Sequence, residues 1–356
     1  MIDFYNQQQK EFREAKTKND KLEIEDFISN DLKNIKWTVN LKKDLEKYIE
    51  HSLKTDKIIK SIYRPFCSQK LYFDRPFIER PGLSSQLFPD GKTENFVIGV
   101  TGVGASKKFS PLISNFISNL DNLEKAQYFP LFYFEKRAKQ QASLFDEAGE
   151  SEYIKRDGVS NFILEQAKRI YGKNVSKEDI FYYVYGILHS QDYRTAFAND
   201  LKKMLPRIPL VDDVRHFWKF SKAGRKLADL HINYESVPPY EGVTVKGAES
   251  EFYMVEKMRF PKKDQKETIL YNSKITIVNI PEKAYEYVVN GKSAIEWIME
   301  RYQIKVDKKS GIKNDPNDWA KEVGNPRYIL DLLLSIINVS VQTVDIVNDL
   351  PKLKFK

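Results

Sequence analysis

Hydrophobic positions change their period along this chain, and the changes divide it. In residues 1–60 the apolar positions Leu41, Leu45, Tyr48 and Ile49 recur on one helix face between polar stretches. That pattern predicts helices and linkers, a connector more than an independent core. From residue 61 short aromatic and β-branched runs take over: "FCSQKLYFD", "ENFVIGVTG" and "QYFPLFYFE", punctuated by Pro and Gly. They read as strands, because such side chains fit a pleated surface. Residues 137–158 are polar and read as a loop. Residues 159–231 return to helical spacing. Ser176 and Asp179 have the spacing of a capping box before "IFYYVYGILHS". Pro206 and Pro209 break the next helix, and 214–231 form another. Beyond 237, "TILYNSKITIVNI" predicts a hairpin turning at Asn272-Ser273. Residues 282–304 and 326–348 read as helix.

Strands and helices are thus segregated, which makes the expected fold class α+β: a mixed β-sheet unit with a helical subdomain. The expected organisation is a helical connector over 1–60, followed by one unit over 61–356. That unit divides into a strand-rich part (61–158), a helical part (159–234) and an α+β part (235–356). No internal repeat or low-complexity tract interrupts it.

Composition narrows the class. The 356 residues are 41% hydrophobic and 13% aromatic, enough for real cores and against wholesale disorder. The single cysteine, Cys67, excludes an internal disulfide and a cysteine-built zinc site. It points to a reducing compartment. No run of about 18 consecutive apolar residues offers a membrane span. "MIDFYNQQQKEF" lacks the apolar core of a signal sequence, so a cytoplasmic protein with no membrane partner is expected.

Net charge is +8, and its distribution says more than its size. Residues 1–60 carry 13 Lys and Arg against 12 Asp and Glu. Residues 201–226 carry eight cations against only Asp212 and Asp213. Within that window Arg215, Lys219, Lys222 and Lys226 fall inside about a 60° arc at 100° per residue. Phe217, Phe220, Gly224 and Leu227 cluster on roughly the opposite side. One face can pack while the other offers four cations to a polyanion such as DNA. A merely solvated lysine face has the same pattern. Lys262-Lys263 and Lys308-Lys309 are lesser patches.

"GVTGVGASKKF", Gly99 to Phe109, is the second candidate. A strand running into a glycine-rich loop can cradle phosphate. Gly99 and Gly104 have P-loop spacing, but Ala105 stands where the lysine belongs, and Ser106-Lys107 come in the wrong order. A nucleotide site is therefore not expected. Two readings stay open. Gly102, Gly104, Ser106, Lys107 and Lys108 can grip a DNA phosphate through backbone N–H groups and lysine charge. Alternatively the stretch is a strand-terminating turn.

Other motifs carry less. "NPRY", Asn325 to Tyr328, is near the Asn-Pro-Pro-Tyr of amino-methyltransferases, but Arg327 replaces the second proline, and no cofactor-binding glycine motif precedes it. A helix start is the default reading. Pro89-Asp90 is not followed by the Glu-x-Lys of a nuclease. His51, His189, His216 and His231 lack metal-ligand spacing, and His189 and His231 read as helix-end caps. No G-x-S-x-G signals a hydrolase. The 20 Tyr and 22 Phe can supply base-stacking platforms, yet most sit at core-like spacing. No catalytic residue, cofactor site or metal site is expected.

Several strings, taken together and in order, are specific. "YRPFCSQKLYFDR", "FVIGVTGVGASKKFS", "FPLFYFE", "YVYGILHSQDYRTAFANDLKKMLPRIP", "FSKAGRKLADLHINYE", "AYEYVVNGKSAIEWIMERYQ" and "NPRYILDLLLSIINVSVQTVDIV" resemble the C-terminal specificity region of type ISP restriction–modification enzymes. The likeness runs from about residue 61 to the end. "MIDFYNQQQKEFREAK" and "IKWTVNLKKDL" resemble the segment leading into it. In that family one long polypeptide carries a nuclease, an ATP-driven translocase, an adenine methyltransferase and then this target recognition domain. The resemblance implies a module that reads a short asymmetric site in double-stranded DNA. S-adenosylmethionine, ATP and Mg²⁺ would then belong to the other domains, and the methyltransferase domain or subunit would be a partner. Residues that discriminate sites must be free to differ between relatives. Base readers are thus expected outside the shared strings, in Arg75–Lys92, Lys136–Arg156 or Lys257–Lys274. Two other classes stay open: an interaction module docking on a separate methyltransferase subunit, and a remnant methyltransferase or nuclease.

Overall fold

The computed structural model describes residues 1–29, 31–137 and 152–355. Three helices open the chain: α1 (Ile2–Lys18), α2 (Ile24–Phe27) and α3 (Val39–Glu46). They close on a small core of Tyr5, Phe12, Ile24, Ile35, Trp37, Leu41 and Leu45. Of the helical face expected over 41–49 only Leu41 and Leu45 reach this cluster; α3 ends at Glu46, the chain turns at Tyr48 (φ +53°), and Tyr48 and Ile49 are exposed. Single aromatics in otherwise polar stretches, Tyr5, Phe12 and Trp37, supply most of the rest, with Ile24 and Ile35. Thr38 caps α3 by accepting from the Leu41 N–H, and it donates to the Pro76 carbonyl at 2.6 Å. That bond ties the helices to the next region.

The strand-rich region builds two three-stranded sheets. In one, β1 (Ile58–Arg64) pairs antiparallel with β2 (Cys67–Tyr72) and parallel with β5 (Ile117–Ser118). In the other, β3 (Val97–Val100) lies between β4 (Pro111–Ser114) and β6 (Gln127–Pro130), both antiparallel. A short helix, α4 (Ser84–Leu87), crosses between them in sequence. The run "QYFPLFYFE" serves two sheets, because it breaks at Leu131. β7 (Phe132–Lys136) leaves β6 there and pairs with β8 (Tyr153–Asp157). β8 thus lies in a stretch that reads as loop from sequence; residues 138–151 of that stretch lie outside the described residues.

Four helices follow: α5 (Asn161–Tyr171), α6 (Lys177–His189), α7 (Gln191–Ala196) and α8 (Val214–Ile232). The capping box at Ser176 and Asp179 is formed in both directions, as its spacing predicts. The chain from 203 to 213 contains Pro206 and Pro209 and is non-helical. Tyr193 and Tyr183 hold it by donating to the Arg207 and Pro209 carbonyls. α6 and α8 cross at very close range. A Cβ on Gly224 would stand 1.8 Å from the Tyr182 carbonyl oxygen, and one on Gly186 would stand 2.3 Å from that of Phe220. Only glycine permits such an approach. Tyr171 stacks on Phe217 beside it, ring centroids 4.2 Å apart.

The C-terminal region packs small strands on two helices. β9 (Thr244–Lys246), β10 (Ile269–Leu270) and β11 (Thr276–Val278) form one sheet, with Leu270 opposite Thr276. The hairpin turns at Asn272, whose side-chain oxygen accepts from the Lys274 and Ile275 N–H groups. Residues 282–304 are not the single helix their composition predicts. A turn at Glu282–Tyr285 leads into a tiny hairpin, β12 (Val288–Val289) and β13 (Lys292–Ser293), and only then into α9 (Ala294–Arg301). The cause is local: Asn290-Gly291 takes positive φ at both residues, the turn that suits a two-residue hairpin. A short pair, β14 (Lys305–Val306) and β15 (Lys313–Asn314), and α10 (Pro316–Glu322) precede α11 (Tyr328–Asn348).

α11 is, among the described residues, the one helix long and apolar enough to cross a membrane, with mean hydropathy 1.6 over its best window. That window is 72% buried inside the protein. Leu330, Leu333, Ile336 and Ile337 lie in the largest core, with Ile277, Ile295 and Ile298 from the neighbouring elements. "NPRY" forms its start, as the default reading expects: the Asn325 side chain accepts from the Arg327 N–H just before the helix.

A buried polar hub joins the three parts. Tyr185 (α6) accepts from the Ile113 N–H of β4 and bonds His231 Nδ1 of α8 at 2.6 Å. His231 Nε2 reaches Thr343 Oγ1 of α11 at 3.0 Å, and its ring stacks on Tyr287. His231 is therefore a buried cross-link and not the helix-end cap its position suggested. His189 bonds the Tyr185 carbonyl of its own last turn. Burial, reinforced by Arg194, pushes His231 down to about 3 and His189 well below the ordinary histidine range.

Candidate nucleic-acid interface

The stripe on α8 stands as its period predicts. Arg215, Lys219, Lys222 and Lys226 are exposed, while Phe217, Phe220, Gly224 and Leu227 are buried. Amphipathicity explains both faces: the apolar side buries against α6, and the opposite side is left to solvent. Lys219, Lys222 and Lys226 make no hydrogen bond or ion pair among the described residues. They line a shallow recess with Ile346 in the last turn of α11 and Asp349 and Leu350 just beyond it. Arg215 differs, because its guanidinium pairs with Asp213, the cap of its own helix, at 2.8 Å. Arg225, off the stripe, pairs with Asp179 and Glu178 and lies over the Tyr182 ring.

The glycine-rich loop is built differently. Its N–H groups donate within the chain. Gly102 N–H bonds the Glu124 carbonyl at 3.0 Å, and Gly104 N–H bonds the Lys202 carbonyl at 3.0 Å. Lys107 N–H and the Ser106 hydroxyl donate to the Glu124 carboxylate at 2.8 and 3.1 Å. Backbone N–H groups from Ser106 and Lys107 hold that carboxyl below its ordinary range. An internal carboxylate thus takes the Ser106 and Lys107 donors that one of the two readings offers to a DNA phosphate. Lys125 closes the other side by donating to the Gly104 carbonyl at 2.8 Å. A Cβ on Gly102 would stand 1.8 Å from the Lys125 carbonyl oxygen, and Gly104 sits at φ +72°. Both glycines are required by this packing. The Lys107 and Lys108 side chains stay exposed.

Tertiary structure brings further cations to Lys107. Its aliphatic chain packs against Gly291 at the tip of the β12–β13 hairpin. Burial, with Arg301, Lys107 and Lys305 nearby, lowers the Lys292 ammonium below its ordinary value. Lys305 is lowered too, by burial and by Arg301 and Lys257. Glu300 offsets part of this by pairing with both Lys292 and Arg301. Sequence reading missed Glu124, Lys125, Lys202 and this second cluster, because none adjoins the loop in sequence.

Of the base-reader windows, Arg75–Lys92 forms one wall of an open groove of about 1030 Å³ with β1, β2, β6 and the turn at Asn119–Asp121. Lys257–Lys274 leads into β10 through the bridge between Arg259 and Leu270. Lys136–Arg156 is described only at Lys136–Arg137 and Glu152–Arg156; its middle lies outside the described residues. Among the described residues no group of three His, Cys, Asp or Glu side chains gathers as metal ligands.

The mixed α+β scaffold holds Lys219, Lys222 and Lys226 outward, and comparison gives its class. The chain matches the family described as the Type ISP C-terminal specificity domain over residues 1–332, and it belongs to that family. Its fold is similar to that of solved Type ISP enzymes. One is a nuclease-deletion mutant of the restriction–modification enzyme LlaGI in complex with a DNA substrate mimic: 38% identity, TM-score 0.83, covering 100% of this chain and 30% of that one. A second is the ATP-dependent enzyme LlaBIII bound to DNA: 36% identity, TM-score 0.83, covering 100% and 21%. A DrdV–DNA complex is also similar, at 27% identity and TM-score 0.81, covering 99% and 33%. This chain therefore spans a third or less of each of those chains. No curated protein matches it.

Proposed function

We propose that this chain is the sequence-reading module of a Type ISP restriction–modification enzyme, selecting a short asymmetric site in double-stranded DNA. One observation carries the reading: the chain belongs to a specificity-domain family over residues 1–332, and all of it aligns with part of Type ISP chains solved with DNA or a DNA mimic. Adenine methylation, translocation and cleavage then belong to other domains, as do S-adenosylmethionine, ATP and Mg²⁺. The methyltransferase domain or subunit is the partner that holds the other side of the duplex, in the cytoplasm.

The phosphate contacts are side chains in this reading. Lys219, Lys222 and Lys226 are unpaired and exposed, and Arg215 joins them by exchanging Asp213 for phosphate. Lys107 and Lys108 add charge from the loop, while Gly102, Gly104 and Ser106 serve as its frame. Each lysine that meets a phosphate releases a counterion, so affinity falls with salt.

The test is selection of a randomised duplex pool by the purified chain at two salt concentrations. An enriched asymmetric motif with a steep salt slope is expected. Co-purification with a methyltransferase but no duplex retention at low salt would overturn autonomous DNA recognition and leave a docking module. Methyl transfer by the chain alone would establish an enzyme instead.

A further inference from the structure

We infer that the loop 79–86 and the surface facing it across the open groove read the bases. The inference rests on the DNA-recognition reading and adds the residues that set its specificity.

The loop projects. Arg80 at φ +50° and Gly82 at φ +57° reverse the chain at its tip. The Arg80 side chain is 91% exposed, with Glu79 at 3.6 Å as its ion-pair partner. Leu83 beside it is 66% exposed, and so is Leu120 on the opposite lip. Both leucines line the groove and offer it apolar surface. They suit thymine methyl groups or the faces of a base step.

Between the lips the groove carries groups with the chemistry of base readers. Gln69 on β2, Gln86 on α4 and Gln127 on β6 all line it, and their side-chain amides make no hydrogen bond among the described residues. A primary amide can bond adenine N6 and N7 together, and a guanidinium can bond guanine O6 and N7. Asn119 uses its carbonyl oxygen on Arg64 and on the Asp121 N–H, leaving its NH₂ free to donate.

The walls are held rigidly, which reading requires. Tyr128 donates to the Asn119 carbonyl at 2.9 Å. Asn95 donates to the Leu87 and Phe132 carbonyls, fixing the end of α4 on β7. Glu79 accepts from the Val39 N–H, fixing the root of the loop on α3.

Charge completes the fit to DNA. The glycine-rich loop is anchored on Glu124 and Lys125, between the Asn119–Asp121 lip and Gln127. Its other anchor is Lys202, three residues before Leu205 in the groove wall. Lys107 N–H bonds the Glu124 carboxylate, and Glu124 is three residues from both Asp121 and Gln127 of the groove wall, so the loop's lysines are tied to the segment that carries the amides.

The test uses the full chain and four variants, Arg80→Ala, Leu83→Ala, Gln86→Ala and Gln127→Ala. Each selects from the randomised duplex pool and is then titrated against single-base substitutions of the wild-type motif. Each polar variant is expected to lose about tenfold discrimination at one or two positions, with affinity for an unrelated duplex unchanged. Leu83→Ala should weaken a thymine-containing step. All four side chains lie on the surface, so the variants should melt with the wild type, and Arg80→Lys should restore affinity without restoring discrimination. Variants that keep the wild-type motif would overturn the assignment and leave the groove to a protein partner. Equal loss on every duplex would make the loop a phosphate contact and overturn it too. A wild-type chain that selects no motif would instead remove the recognition reading on which the assignment stands.

Discussion

α8 and the glycine-rich loop present the same elements, small residues beside lysines, and structure treats them oppositely. On α8 Lys219, Lys222 and Lys226 have no partner among the described residues, because the partners of a helix's backbone lie within the helix and its faces follow from period. In the loop, backbone donors have no such internal partners, so they take what the fold brings. Here it brings the Glu124 carboxylate and carbonyl and the Lys202 carbonyl. A helix face can be read one residue at a time. A loop's vacancy cannot, since its occupant comes from elsewhere.

The sharpest way to break this comparison is to put a methyl group into each region. Gly224→Ala sets a Cβ against the Tyr182 carbonyl inside a helix pair that cannot slide. It should lower stability by about 3 kcal/mol, measured by denaturant titration. Gly102→Ala meets the Lys125 carbonyl equally closely, but in a loop that can shift, and about 1 kcal/mol is expected. Equal losses would mean that the loop is as rigid as the helix pair.

Acid separates the two faces of α8. His231 and His189 stay neutral in the fold, whereas an unfolded chain protonates them below about pH 6.5. Stability should hold above that pH and fall as the pH drops below it. The slope is up to about 1.4 kcal/mol per unit for each histidine, and the loss continues toward their depressed folded values. Melting between pH 7.5 and 5 should show the slope, and His231→Gln should flatten it. The salt dependence of DNA binding through the opposite face should stay the same over this range.

On the open face, Lys219→Gln, Lys222→Gln and Lys226→Gln combined should leave stability unchanged. If DNA is bound, they should reduce the slope of log affinity against log salt by roughly 0.9 for each phosphate that is no longer neutralised. Arg215→Gln should do less, since Asp213 already neutralises part of it. The smallest effect falls on the loop frame. Glu124→Gln keeps shape but removes charge, and should loosen Ser106 and Lys107, visible as faster amide exchange confined to the loop.

Much of the fold was legible beforehand. The Ser176 capping box, the turn at Asn272 and the faces of α8 are local, and each is set by residues within four positions of one another. The single helix expected over 282–304 failed for a local reason that was also readable, the Asn290-Gly291 turn. What stayed hidden was of another kind. The N-terminal core depends on scattered aromatics, β8 on a partner nearly twenty residues away in a polar stretch, and His231 on contacts with α6 and α11.

The sequence by itself therefore determined the α+β class, the family and the basic helix, because composition, period and ordered motif strings need no partner. Tertiary structure alone decided that the glycine loop's donors are filled, that Lys107 and Lys305 both lie near Lys292, and that glutamines from three separate elements, unbonded among the described residues, line one groove. Those outcomes depend on which distant side chain arrives at a given backbone group, and pairings across tens or hundreds of residues leave no period in the chain to read.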